Sequence, residues 1–372
     1  MPIKTYQVLG LMSGSSLDGL DIAFCVFQME AGIVKDWQLL KAETFPFTTA
    51  WQQKLKELPH FSSLELLTAH AHFGQYMGQL VNQFLEKHSL HPDFIASHGH
   101  TVFHFPNRHM TLQIGDGAAL AATTGYPVVC DFRAMDIALG GQGAPIAPIA
   151  DQMLLKGYDF YLNVGGIANI SCNANGKFIA FDIGGANQVL NVLARQLGFD
   201  FDPEGQLAES GSLLPDLLQQ VNALPYFQQN YPKSLGNDWV QEQLIPIYLS
   251  FEGRVQDKLH TACIQLAQQT ASDIQAIIRR EQLSKPPYRL LATGGGALNR
   301  FLIQCLRQAC QQNGSFEIAV PDPEIIGFKE AALMALMGVL RVENVPNCMA
   351  SVTGAAFDAI GGAIHQGRIK IL

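Results

Sequence analysis

One order of elements is written twice along this chain, and few folds accept such a repetition. Three strand-like runs, at residues 6–12, 20–27 and 37–44, precede a helical stretch. In that stretch Leu66, Phe73, Met77, Leu80 and Phe84 keep helical spacing behind Ser62 and Glu65, which read as a capping box. Strands at 94–97 and 111–114, a small helix at 118–123 and a strand at 127–130 complete the first copy. The order starts again with strands at 160–164, 167–172 and 178–182. A helix around Val189, Leu190, Val192, Leu193 and Leu197 follows, with Gly198 as its stop, and then a long helix over 255–280. A strand at 288–292, a helix carrying Phe301, Leu302, Cys305, Leu306 and Ala309, a strand at 316–320 and a helix through Leu333, Leu336, Met337 and Leu340 close the second copy. Glycines 140, 141 and 143 and two prolines interrupt the pattern near residues 144–151. The expected domains are therefore 1–145 and 146–372, with the last residues free to pack back on the first domain. A length of 372 residues, beyond what one core usually serves, agrees with two.

Nearly half the residues are apolar and 15% are charged, which supports sizeable cores and argues against disorder. The net charge is −8 and no Lys/Arg cluster forms a basic face, so a nucleic-acid partner is not expected. The seven cysteines include no CxxC pair, the pattern of free thiols in a reducing compartment. No apolar run is long enough to span a bilayer, and no membrane partner is expected. Together these features predict a cytoplasmic protein.

Glycine-bearing turns carry the chemistry. GLMSGSSLDGLD, at residues 10–21, lies between two strands and so forms a hairpin tip. Gly14 and Gly19 let its backbone approach a ligand, and Ser13, Ser15 and Ser16 offer hydroxyls suited to phosphate oxygens. Asp18 is placed to hold magnesium through water, with Asp21 in the same hairpin. NVGGIAN, at 163–169, occupies the matching hairpin of the second copy, with Asn163, Gly165, Gly166 and Asn169 as candidate phosphate contacts. Two such loops facing each other across a central cleft would hold a nucleotide's phosphates between them. Each also reads as an ordinary turn.

Asp182 ends a strand in DIGGAN, where ligand sites of open α/β sheets gather and a carboxylate can act as general base. The alternative for Asp182 is an N-cap of the following helix. In TGGGALN, at 293–299, Gly294, Gly295, Gly296 and Asn299 allow close approach to a base and ribose. The motif is neither a dinucleotide fingerprint nor a P-loop. SHGHTV, at 97–102, reads as a sugar-contacting loop with His100 and Thr101. Its histidines, with His104 and His109, match no zinc spacing. Arg133, in DFR, offers a fork suited to a carboxylate, or an ordinary ion pair.

Together the strand order and GLMSGSSLDGLD, HGHT, LQIGD, DFR, GGQGAP, NVGGIAN, TGGGALN and SVTGA resemble the anhydro-N-acetylmuramic acid kinase family nearly end to end. The resemblance implies a two-domain actin/hexokinase (ribonuclease H-like) α/β fold with a duplicated βββαβαβα core and a central cleft. It implies an ATP- and Mg2+-dependent kinase that opens 1,6-anhydro-N-acetylmuramic acid with water and phosphorylates the six-position oxygen, in peptidoglycan recycling. Asp182 would activate the water, Arg133 would meet the lactyl carboxylate, and His100, Thr101 and Glu330 would line the sugar pocket. A homodimer is implied by the resemblance alone. The chain departs from the family pattern at Ser15 for threonine, at His100 for glutamine and in DIGGAN for DTGPGN, and it lacks an acidic residue at 326–328 although Glu330 remains. These departures bear on the sugar more than on the reaction. The rival readings are a kinase of a related anhydro sugar, an ATPase or protein-modifying member of the superfamily, and a catalytically silent sugar or nucleotide sensor.

Overall fold

The computed structural model describes residues 2–14, 17–283 and 286–367. Its strands are β1 (Lys4–Ser13), β2 (Gly19–Glu30), β3 (Ile33–Pro46), β4 (Phe94–Phe105), β5 (Met110–Ile114), β6 (Val128–Cys130), β7 (Phe160–Val164), β8 (Ile167–Ala174), β9 (Lys177–Gly185), β10 (Tyr288–Thr293), β11 (Phe316–Ala319) and β12 (Ala363–His365). They form two sheets, ordered β12-β6-β4-β1-β2-β3, with β5 on β4, and β11-β10-β7-β8-β9. In each, three antiparallel strands in sequence lie beside two strands that run parallel to the first of them. The sheets thus share one topology, the duplicated ribonuclease H-like core that the sequence predicts.

Contacts divide the chain into two compact units, 1–156 with 328–372, and 157–327. The boundary falls after residue 156 where 145/146 was expected, and residues from 328 onward belong with the first unit, a longer return than the last residues alone. The reason is packing. Strand β2 buries both faces, with Leu20, Ile22 and Phe24 in one cluster and Ala23, Cys25, Phe27 and Met29 in another. The helix Pro323–Val342 supplies Ala331 through Leu340 to the second cluster. It lies so close that a Cβ on Gly10 would stand 1.9 Å from the Ala331 carbonyl oxygen. Small residues on both elements permit this approach, and it fixes where Glu330 sits.

The helix Ser63–His88 covers the other face and begins with the expected capping box. In the second unit the helix Val255–Arg280 runs over the expected span and packs on one continuous core with Phe160, Leu162, Ile170 and Ile183.

Candidate active site

Burial and hydrogen bonding in the first unit gather one set of the expected residues. Ser13 and His100 are paired neighbours on β1 and β4, both buried, with Ser13 Oγ 3.1 Å from His100 Nδ1. The HGHT stretch is not a loop: it continues β4, with Gly99 at φ +74° inside the strand. His98 donates from Nδ1 to the Gly99 carbonyl at 3.0 Å, so its Nε2 is the acceptor for Arg133 Nε at 2.9 Å. Burial, and then the Arg133 charge beside it, lower the His98 pKa to about 4. Burial also lowers that of His100.

Arg133 donates a second bond, from Nη1 to the Gly143 carbonyl at 2.6 Å. The Gly143 N–H in turn donates to Asp136 Oδ2 at 2.7 Å, and Thr353 Oγ1 donates to Asp136 Oδ1 at 2.6 Å. Asp136 therefore ties DFR, GGQGAP and SVTGA into one support for Arg133. Sequence reasoning missed it, because an aspartate in a short helix carries no mark of burial. Glu330 is exposed on its helix, and its charge acts on both Arg133 and Asp21. Thr101 is exposed and accepts from Gln113 Nε2 at 3.3 Å.

In the first hairpin, Asp18 is exposed and Asp21 accepts from Thr44 Oγ1 at 2.5 Å. Burial raises the Asp21 pKa, with a smaller push from Asp18 and Glu330. Gly19 has a packing role, since a Cβ there would lie 2.5 Å from the Phe45 carbonyl oxygen. Ser15 and Ser16 lie outside the described residues, and Gly14 precedes them, directly after β1.

The second unit aligns the remaining candidates. Thr293 on β10 pairs with Asn163 on β7, Asn163 with Asn169 on β8, and Asn169 with Asp182 on β9. Paired residues share a face of the sheet, so four polar side chains form one row across it. Thr293 was not among the expected residues; it is the residue before the glycine triplet, and only the register reveals it.

Asp182 is not a helix cap. The helix Asn187–Arg195 has Ala186 at its N-cap, and the Asp182 carboxylate instead accepts from Ser234 Oγ and Leu235 N, each at 3.0 Å. The first N–H groups of that helix donate to the carbonyls of Gly165 and Gly166 at 2.9–3.2 Å, so the β7–β8 hairpin sits on the helix end. A Cβ on Gly165 would meet only ordinary contacts, the nearest at 3.4 Å. Protein packing alone therefore does not demand glycine there.

The triplet separates in the same way. Gly294 is at φ +80°, and a Cβ on it or on Gly296 would strike the Val164 backbone at 2.7 Å or the Val164 side chain at 2.3 Å. A Cβ on Gly295 would meet nothing nearer than Asn187 at 3.8 Å. Gly295, Gly296 and Asn299 line a cavity of about 1040 Å³ together with Asn187, Phe201 and Arg307. Asn299 also caps the helix Arg300–Gln311, accepting from Leu302 N at 2.8 Å.

All seven cysteines are free thiols. Burial pushes Cys130 up to about 12 and Cys305 up to about 11, so neither offers a ready thiolate. No helix among the described residues is long and apolar enough to cross a membrane.

The chain is 33% identical over 391 residues to an anhydro-N-acetylmuramic acid kinase of Pasteurella multocida, covering 98% of each chain. It is 34% identical over 392 residues to one of Coxiella burnetii, covering 99% of each. Among solved structures, a ROK family glucokinase from Streptomyces griseus in complex with glucose and AMPPNP superposes with TM-score 0.39 at 11% identity, covering 89% of this chain and 98% of that one. The activator of a 2-hydroxyisocaproyl-CoA dehydratase from Clostridium difficile gives 0.38 at 14%, covering 91% and 97%. A sequence model of the anhydro-N-acetylmuramic acid kinase family matches residues 6–367, and the chain belongs to that family.

Proposed function

We propose that this kinase opens 1,6-anhydro-N-acetylmuramic acid with water and phosphorylates it with ATP, giving N-acetylmuramic acid 6-phosphate and ADP. The observation that carries the reading is Asp182, held by its own loop in a polar row with Asn163 and Asn169. In this reading Asp182 takes a proton from water, whose oxygen bonds to the anomeric carbon as the bond to the bridging oxygen breaks. The freed six-position oxygen attacks the γ-phosphorus, and the bond to the β-phosphate oxygen breaks. The nucleophile is generated in place, which removes the entropy of bringing it there.

The remaining work is positioning and charge neutralisation. Asn163, Gly165, Gly166 and Asn169, with Ser13, Gly14, Ser15, Ser16, Gly19 and Asp21, are assigned to the phosphates of ATP. The large cavity at Gly295, Gly296 and Asn299 is assigned to its adenosine, with Gly294 beside it, supported by a Gly295 that packing does not require. Arg133, preset by His98 and Gly143, is assigned to the lactyl carboxylate, with His100, Thr101 and Glu330 on the sugar.

Magnesium suits the donors present. Among the described residues no three His, Cys, Asp or Glu side chains gather as a metal cage, whereas Asp18 is an exposed carboxylate. Magnesium keeps most of its waters and takes one or two carboxylates plus phosphates. Asp18 would hold it through water, and bound there it would neutralise phosphate charge. A cytoplasmic location, a place in peptidoglycan recycling and a homodimer complete the reading. The free thiols support the first, and the family supports the other two.

Asp182→Asn tests the assignment. Sugar-dependent ADP release should fall on the order of 100- to 10,000-fold while ATP still binds. Retention of most activity would return Asp182 to a structural role.

A further inference from the structure

The reading of Asp182 as general base leaves open what holds an aspartate in place on the outermost strand of a sheet. Strand β9 is the edge of its sheet, with its outer side available to another segment. Residues 226–235 occupy it. The Tyr226 hydroxyl donates to the Asp182 carbonyl at 2.7 Å, and the Asp182 N–H donates to the Lys233 carbonyl at 3.4 Å. Ser234 Oγ and Leu235 N both donate to the carboxylate, and both to the same oxygen, Oδ2.

That segment is itself anchored by charge. Lys233 Nζ is buried and donates to both oxygens of Asp273 at 3.0 Å, on the helix Val255–Arg280. Asp273 also accepts from Gln269 Nε2 at 3.2 Å. The Tyr226 and Phe181 rings lie 5.3 and 5.7 Å from Nζ. A buried ammonium is costly unless paired, so the chain has one low-energy placement for residue 233 and hence for its two successors.

We propose that Ser234 and Lys233 are positioning residues for Asp182. Ser234 and the Leu235 N–H fix the carboxylate through Oδ2 and present Oδ1 to the water, and Lys233 locks their segment through Asp273. The proton leaves the water for Oδ1 as the water oxygen bonds to the anomeric carbon. Tyr226, Lys233 and Asp273 are titratable groups packed around this arrangement, as is Tyr231, which stacks on Phe181 and donates to Glu281.

Steady-state and single-turnover kinetics on the full chain, with ATP, magnesium and the anhydro sugar, test it. Ser234→Ala should lower kcat about tenfold, as for one lost hydrogen bond to a charged group, and leave both KM values within about twofold. Ser234→Thr should restore kcat. In an Asp182→Asn background Ser234→Ala should change the residual rate by less than about twofold, because its effect passes through the carboxylate. Replacing the buried pair by Lys233→Met with Asp273→Leu should lower kcat without lowering the unfolding midpoint. An unchanged kcat in Ser234→Ala, or an equal loss in both backgrounds, overturns the role of Ser234. An unchanged kcat in the double replacement overturns that of Lys233. Failure of the underlying reading is distinguishable, because Asp182→Asn alone would then keep the wild-type rate.

Discussion

Acid should loosen the first unit at one identifiable residue. His98 is 5% exposed, and its Nε2 accepts from Arg133 while its Nδ1 donates to Gly99. Burial first, and then the Arg133 charge with His100 also nearby, lower its pKa from 6.5 to about 4, and protonation would remove the acceptor that Arg133 uses. A difference of that size is worth about 3 kcal/mol. The sign follows from proton binding. Between pH 6.5 and 4 the unfolded chain holds a proton on His98 that the folded chain does not, so stability falls as pH falls through that window. Above 6.5 the residue contributes no pH dependence. His98→Gln keeps a side-chain oxygen for Arg133 but cannot titrate. Denaturant unfolding at pH 6 and pH 4.5 should show wild type losing about 2 kcal/mol more than the variant. In the wild type, the His98 ring resonances should stay at their neutral positions down to about pH 5. Equal losses in the two proteins, or a ring that titrates near 6.5, would refute the clamp.

Arg133→Ala should cost on the order of 2–5 kcal/mol in kcat/KM for the muramyl sugar and shrink its preference over anhydro-N-acetylglucosamine, which lacks the carboxylate. An equal loss for both sugars would leave Arg133 only its bonds to His98 and Gly143. Gly295→Ala should raise the KM for ATP several-fold at unchanged stability, whereas Gly296→Ala should lower the unfolding midpoint, because only the latter places a Cβ, at 2.3 Å, against Val164. Gly10→Ala drives a Cβ into the Ala331 carbonyl and should destabilise the first unit by about 1–3 kcal/mol in urea unfolding; an unchanged midpoint would show that the helix can move away.

Long-period signals were legible in the sequence. The helix Val255–Arg280 and the capping box at Ser62 are written in local spacing, and both stand where that spacing puts them. The β7–β8 hairpin was legible too, because glycines mark its turn. The continuation of β4 through HGHT was not, since histidines and a positive-φ glycine look like a loop until their burial is known. Between Pro203 and Ser250 the helices run for eight residues or fewer, too brief for a periodicity to register. The partners of Asp182 lie 52 and 53 residues away, and those of Arg133 at Gly143 and His98. Contacts of that separation leave no trace in local pattern, so the sequence names the reactive groups and not what holds them.

The coupled opening and phosphorylation is tested most directly by running the reaction with ATP, magnesium and 1,6-anhydro-N-acetylmuramic acid in water enriched in oxygen-18. Mass spectrometry should find N-acetylmuramic acid 6-phosphate carrying one heavy oxygen at the anomeric hydroxyl and none in the phosphoryl group. An unlabelled phosphosugar, or ADP formed without any phosphosugar, would contradict the water attack assigned to Asp182.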